Sequence, residues 1–199
     1  ATSDEDNHYI SMDYENATVT DINGETRQFV PAEYSIKNDL YSQNQIDFID
    51  KYLNNLFKIV YEACENGKYY KFDENYDLVD SDVTTAEEAV SNVMDIDSVR
   101  DMYILYEIVH DYDCGEGSFY MCVDLSKDSK CPKLKFTSPW DFNWAYNDST
   151  EKYYAGAFTD KNFVAKKGDR SNPWFIVLCK QDWFMATAKE KWTEMSQEK

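Results

Sequence analysis

The sequence predicts an α+β domain, mostly helical with short β-hairpins. Ile46, Ile49, Leu53, Leu56 and Val60 recur at spacings of three and four, which draws one apolar stripe along a helix. Residues 118–124 and 133–137 form two short strand-like runs joined by a polar loop at 125–132. No internal repeat, low-complexity tract or second compositional region interrupts the chain, so 8–199 reads as one domain behind a polar, frayed end at 1–7.

The elements follow in order. His8-Tyr9-Ile10-Ser11-Met12-Asp13-Tyr14 alternates in part and reads as a strand; Asn23-Gly24 is a turn signal, with 26–30 as the expected partner strand. The long helix starts at Ser42, where Ser42-x-x-Gln45 has the form of a capping box, and ends at Asn66-Gly67, where glycine suits a left-handed cap. Residues 68–84 are acidic and rich in tyrosine and read as a solvated loop. The acids from Asp73 to Asp82 lack the glycine and terminal glutamate of a calcium-binding loop. Thr85-x-x-Glu88 marks a short second helix. Asp97 or Ser98 is the expected cap of a third, which turns Val99, Met102, Tyr103, Tyr106 and Val109 to the core. After the two strands, 145–171 reads as loop. Pro173 suits the first turn of a helix with Trp174, Val177 and Leu178 on its apolar side, and Asp182 is the expected cap of a last helix carrying Phe184, Ala188 and Trp192 inward.

Composition narrows the partners. With 20 Lys and Arg against 38 Asp and Glu, the formal charge of −18 disfavours nucleic acid and anionic membrane surfaces. It favours divalent metals or proteins rich in Lys and Arg, although acidity also serves solubility alone. No apolar run approaches the ~18 residues that span a bilayer. Five cysteines without a C-x-x-C pair, and only two histidines, argue against zinc. Cys114, Cys122 and Cys131 lie close enough in sequence for one disulfide, whereas Cys64 and Cys179 sit in apolar helical patterns and read as core.

One constellation carries chemistry. The segment Glu107-Ile108-Val109-His110-Asp111-Tyr112-Asp113 ends a helix, a hairpin follows, and Pro139-Trp140-Asp141-Phe142-Asn143-Trp144 comes just after the second strand. Kinase-like C-lobes place two carboxylates in this order. The first orients or deprotonates an acceptor hydroxyl; the second holds Mg²⁺, a hard cation that takes oxygen ligands, against nucleotide phosphates. Each residue also has a plainer role. Asp141 could be a turn acid bound to backbone donors, Asp113 a solvated loop acid, and His110 a helix-end cap. Trp140, Phe142 and Trp144 could stack on adenine or a sugar, but alternating aromatics at a strand end more often belong to the core.

These segments resemble the CotH kinase family, named for a bacterial spore-coat protein kinase. There, a helix ends in an E-L-x-x-N-x-D-like run, then comes an S-T-Y-x-Y-like strand, matched here by Ser118-Phe119-Tyr120-Met121, then a P-W-D-Y-D-like segment. The likeness is most specific over 99–146 and extends loosely outward, to His8–Asp13 and to Leu178–Glu194. It implies ATP and Mg²⁺ or Mn²⁺ as cofactors and a protein substrate phosphorylated on Ser or Thr. It implies Asp113 as catalytic acid and Asp141 as metal ligand, with Asn143 and Ser118 beside it and Trp140 and Phe142 as nucleotide contacts. It also implies an extracellular, cell-surface or spore-surface location. Asp111 replaces the usual asparagine, and Asn143 replaces the second acid, offering a carbonyl oxygen without charge. The family's glycine-rich segment, phosphate-contacting lysine and partner glutamate precede the position of His8, and its last helices run past the end of this chain. The resemblance therefore implies a C-lobe portion or a truncated member, binding nucleotide weakly by itself. Two other functions compete: a pseudokinase-like module that recognises protein or carbohydrate without phosphotransfer, and a chemically silent interaction domain.

Overall fold

The computed structural model describes residues 8–12, 17–20, 26–28, 32–109, 114, 117–144 and 172–197. Eight short strands and five helices run in the order β1 (His8–Met12), β2 (Thr18–Thr20), β3 (Thr26–Gln28), β4 (Ala32–Ile36), α1 (Gln43–Tyr61), β5 (Tyr70–Phe72), β6 (Leu78–Asp80), α2 (Ala86–Val93), α3 (Ile96–Val109), β7 (Tyr120–Cys122), β8 (Lys135–Thr137), α4 (Pro173–Leu178) and α5 (Asp182–Gln197). Among the described residues the strands pair as antiparallel two-stranded ladders: β1 with β4, β2 with β3, β5 with β6, and β7 with β8. The architecture is α+β, as the sequence predicts.

The core is built around α4. Its six residues are apolar throughout and all are buried, so the helix has no solvent face at all. This corrects the expectation of one apolar side. Trp174 meets Phe57 of α1 edge-on at 5.1 Å and Phe136 of β8 at 6.0 Å. Phe175 meets Tyr103 and Tyr106 of α3 at 5.6 and 6.2 Å. The two polar needs of this dry helix are met by side chains. Asn172 Oδ1 accepts from the N–H groups of Trp174 and Phe175, and its Nδ2 donates to the Cys114 carbonyl at 3.0 Å. The Trp174 indole N–H donates to the Tyr34 hydroxyl of β4 at 3.1 Å.

Helix α1 follows its predicted stripe: Leu53, Leu56 and Val60 are buried, while Ile46 and Ile49 are half-buried because the first turns project from the core. Ser42 makes no side-chain cap; the Gln45 amide oxygen instead accepts from the Tyr41 N–H, one residue earlier than the box requires. A π-turn (Glu62–Asn66) closes the helix, and Gly67 takes the left-handed conformation at φ 61°. Thr85 caps α2 as expected, with its Oγ1 accepting from the Glu88 N–H, while Glu88 Oε2 accepts from the N–H of Thr84, one residue before the cap.

Other expectations need correction. The partner of β1 is β4; residues 26–28 pair with β2 instead. Residues 68–84 contain the β5–β6 hairpin, because Asp73 accepts from the N–H groups of Asn75 and Asp77 to close a tight turn, and Phe72 and Tyr76 pack on Tyr52 of α1. The cap of α3 is Asp95, whose Oδ1 accepts from the Ser98 N–H. Asp182 lies inside α5, not before it. Trp192 is 53% exposed, since the last turns of α5 run beyond the core that buries Phe184 and Ala188. All five cysteines are free thiols, so the expected disulfide does not form: Cys114 is enclosed in the core while Cys122 is exposed. Residues 1–7, Asn23-Gly24 and 145–171 lie outside the described residues.

Replacing Asn172 with Ala removes three buried hydrogen bonds and leaves their partners bare. We expect a loss of about 2–3 kcal/mol, read as a lowered urea midpoint with unchanged m-value.

Candidate functional site

Strand β8 is fastened before it delivers the acid segment. A parallel bridge joins Leu134 to the α2–α3 junction: the Leu134 N–H donates to the Val93 carbonyl, and the Asp95 N–H donates to the Leu134 carbonyl, both at 2.9 Å. One turn along, the Phe136 N–H donates to Ser98 Oγ at 3.3 Å. Lys135 Nζ lies 3.6 Å from Asp95 Oδ2. The same carboxylate therefore caps α3 and holds the strand. On the inner face, Phe136 is buried against Phe119, with ring centres 4.8 Å apart.

Beyond Thr137 the backbone leaves the sheet. Ser138 takes φ 55° and Asp141 takes φ 62°, both left-handed. Ser138 thereby ends the alternation of side chains that a continuing strand would impose. This is why Trp140 is 62% exposed and does not join the core, contrary to the preference for packing drawn from aromatic alternation. Phe142 opens a 3₁₀ turn (Phe142–Trp144) and packs on the buried Tyr106 at 6.3 Å, so the segment is anchored on both sides of Asp141.

Asp141 itself is exposed, and its side chain makes no hydrogen bond or ion pair with the described residues. The turn-acid reading, with both oxygens bound to backbone donors, therefore finds no support. Asn143 is exposed alongside. Ser118 is half-buried with φ 49°, two residues before β7. A carboxylate and an amide oxygen open to solvent are hard donors of the kind Mg²⁺ or Mn²⁺ takes. Among the described residues no three His, Cys, Asp or Glu side chains converge on one point.

Asp113, Asp111 and His110 lie outside the described residues. The chain on either side is fixed. Helix α3 ends at Val109, and Cys114, the residue after Asp113, is buried with its carbonyl held by Asn172.

Sequence reasoning passed over Glu107, in the last turn of α3. Its Oε1 atom is shut off from solvent and has no hydrogen-bond partner among the described residues, and burial raises its pKa from 4.5 to about 7. The signal was available: an acid in the last turn of an apolar helix opposes the helix dipole. Burial likewise pushes the Cys64 thiol up to about 12 and Cys179 well above the ordinary thiol range, so neither is a reactive thiolate.

The comparisons with known proteins give one match. Residues 61–199 match the family model described as CotH kinase protein. The match includes every candidate site residue, while the looser likeness at His8–Asp13 lies before its start. No curated protein and no solved structure matches the chain.

Asp141 can be separated from the fold by substitution. Glycine relaxes its left-handed backbone, so Asp141→Gly should unfold at the same or slightly higher temperature, whereas Asp141→Val should lose about 1–2 kcal/mol. Thermal melts of the two variants check this.

Proposed function

Because this chain belongs to the CotH kinase family, we propose that it is the C-lobe portion of an atypical protein kinase that transfers phosphate from ATP to Ser or Thr. The observation that carries the reading is Asp141: a solvent-open carboxylate in a left-handed turn, fixed by β8 on one side and by Phe142 on Tyr106 on the other. An exposed acid on an anchored backbone binds a cation without first having to order its loop.

The residues divide the work. Asp113 accepts the proton of the substrate hydroxyl or aligns it for attack. Asp141 supplies the charged metal ligand, and the Asn143 amide oxygen and the Ser118 hydroxyl supply neutral ones. When bound, Mg²⁺ or Mn²⁺ neutralises charge on the phosphates during transfer. Trp140 offers an exposed ring on which a nucleotide base can stack, and Phe142 acts from below, by holding the turn. The net charge of −18 favours a substrate rich in Lys and Arg, with Ser among its acceptor residues, and a location outside the cell or on a cell or spore surface follows the family. Among the described residues no helix is long and apolar enough to cross a membrane.

One observation favours a pseudokinase-like binding module instead. Asn143 stands where the family pattern has a second acid. Such a site holds a divalent ion less firmly, and the exposed Trp140 would then serve as a contact for protein or carbohydrate.

The deciding experiment is phosphate transfer from γ-labelled ATP with Mg²⁺ or Mn²⁺, using the full gene product and a Ser- and Arg-rich protein acceptor. We expect Asp113→Asn and Asp141→Asn each to lower kcat at least a hundredfold, and Asn143→Asp to lower the metal concentration needed for half-maximal rate. Equal transfer by the wild type and both Asn variants, with folding intact, establishes the binding module.

A further inference from the structure

The molecule contains a half-buried acid, one of its oxygens enclosed, that the proposed chemistry does not use. Glu107 lies on the last turn of α3, the helix that packs on α5 and β8 and leads towards the acid segment. Its Oε1 atom is enclosed without a hydrogen-bond partner among the described residues. Charge on that oxygen would lack water and, among the described residues, a donor, and it would stand at the negative end of the helix dipole.

Among the described residues no cation is recorded against the Glu107 carboxyl. Facing it are the Tyr103 phenol on α3 itself and the Cys179 thiol after α4, each un-ionised near neutral pH because burial raises its pKa. The described cations of the elements packed against α3 are tied elsewhere: Lys191 of α5 is paired with Glu194, and Lys135 of β8 with Asp95 before the helix. Lys180, next to Cys179, is paired with Glu65. Burial alone shifts Glu107.

We propose that Glu107 is a proton-operated latch: its neutral carboxyl keeps the last turn of α3 packed against the α4 end, and its ionisation loosens that turn. The direction follows from linkage. The packed turn raises the pKa above the value of 4.5 that an open turn restores, so the packed state holds more protons. Its advantage is complete below pH 4.5, falls as pH rises, and is gone above about 7. Across that window the ratio of open to packed turn grows about tenfold per pH unit. An effect on catalysis rests on the reading of Asp113 given above, since α3 leads into that residue; the latch itself does not.

Two measurements on the full chain test it. Amide hydrogen exchange of residues 104–109 is followed at pH 5 and pH 7.5, corrected for chemical exchange rates, in the wild type and in Glu107→Gln. The expected result is a drop in protection of at least tenfold in the wild type between the two pH values and no such drop in the Gln variant. Carboxyl ¹³C titration of wild-type Glu107 should give a midpoint near 7. Protection that ignores pH in the wild type, the same pH response in Glu107→Gln, or a midpoint near 4.5 overturns the latch. Should the variant fail to fold, the two wild-type readings decide alone. None of these readings requires phosphate transfer, so an inactive kinase and an absent latch give different results.

Discussion

A six-residue helix without a polar face can exist only in the middle of something else, and α4 imposes that condition on the rest of this chain. Burying the side chains of Trp174, Phe175, Ile176, Val177 and Leu178 stabilises the fold by about 1.5–3 kcal/mol each for the larger ones, an upper bound that assumes an extended unfolded chain. The stabilisation holds only if other apolar elements surround the helix on every side. They do so through rings: Phe57 from α1, Tyr103 and Tyr106 from α3, Phe119 before β7, and Phe136 from β8. Six residues are too few for a helix to be stable alone, so α4 depends on this shell as much as the shell depends on α4.

The same shell fixes the segments that carry acids. Phe136 and Phe119 seat the hairpin, Tyr106 receives Phe142, and Asn172 ties Cys114 to the start of α4. Aromatic packing in the interior is therefore converted into position at the surface. What reaches solvent is short: the turn around Asp141, with Trp140 before it. Loops carry chemistry well when rigid elements hold both of their ends, and here those ends are held by α3, α4 and β8. A cavity opened among these rings would reach the Asp141 turn through Tyr106 and Phe142, without any change at the acid itself.

Much of this organisation was legible in the sequence, for identifiable reasons. The stripe of Leu53, Leu56 and Val60, the Thr85 cap, Pro173 at a helix start and the β7–β8 hairpin are local signals, and local physics decided them. The failures are tertiary. Nothing between residues 68 and 84 announces a hairpin, since Phe72 and Tyr76 become strand and turn residues by packing on Tyr52 of α1. The partner of β1 could not be read because β2 and β3 intervene and pair with each other. Asp95 displaced Asp97 and Ser98 as the cap because it also receives Lys135 and donates its N–H to Leu134, contacts that exist only after β8 has arrived. At the site, Asp141 was visible in its motif, but its left-handed backbone was not. Trp140 was drawn inward by pattern and is held outward by Ser138.

The two acids are governed in different ways. The negative field of −18 favours a cation at the exposed Asp141, whereas lost hydration favours the proton on the half-buried Glu107. Salt separates them. Exposed charges more than about 8 Å apart are largely screened at physiological ionic strength, so the pull of distant acids on a metal or a basic substrate weakens as salt rises. The shift at Glu107 comes from lost hydration, which dissolved ions cannot restore while the turn stays packed. Recruitment at the surface is therefore a property of net charge and ionic strength, whereas the proton on Glu107 is a property of packing. The two controls can act independently, one at the end of α3 and one beyond β8.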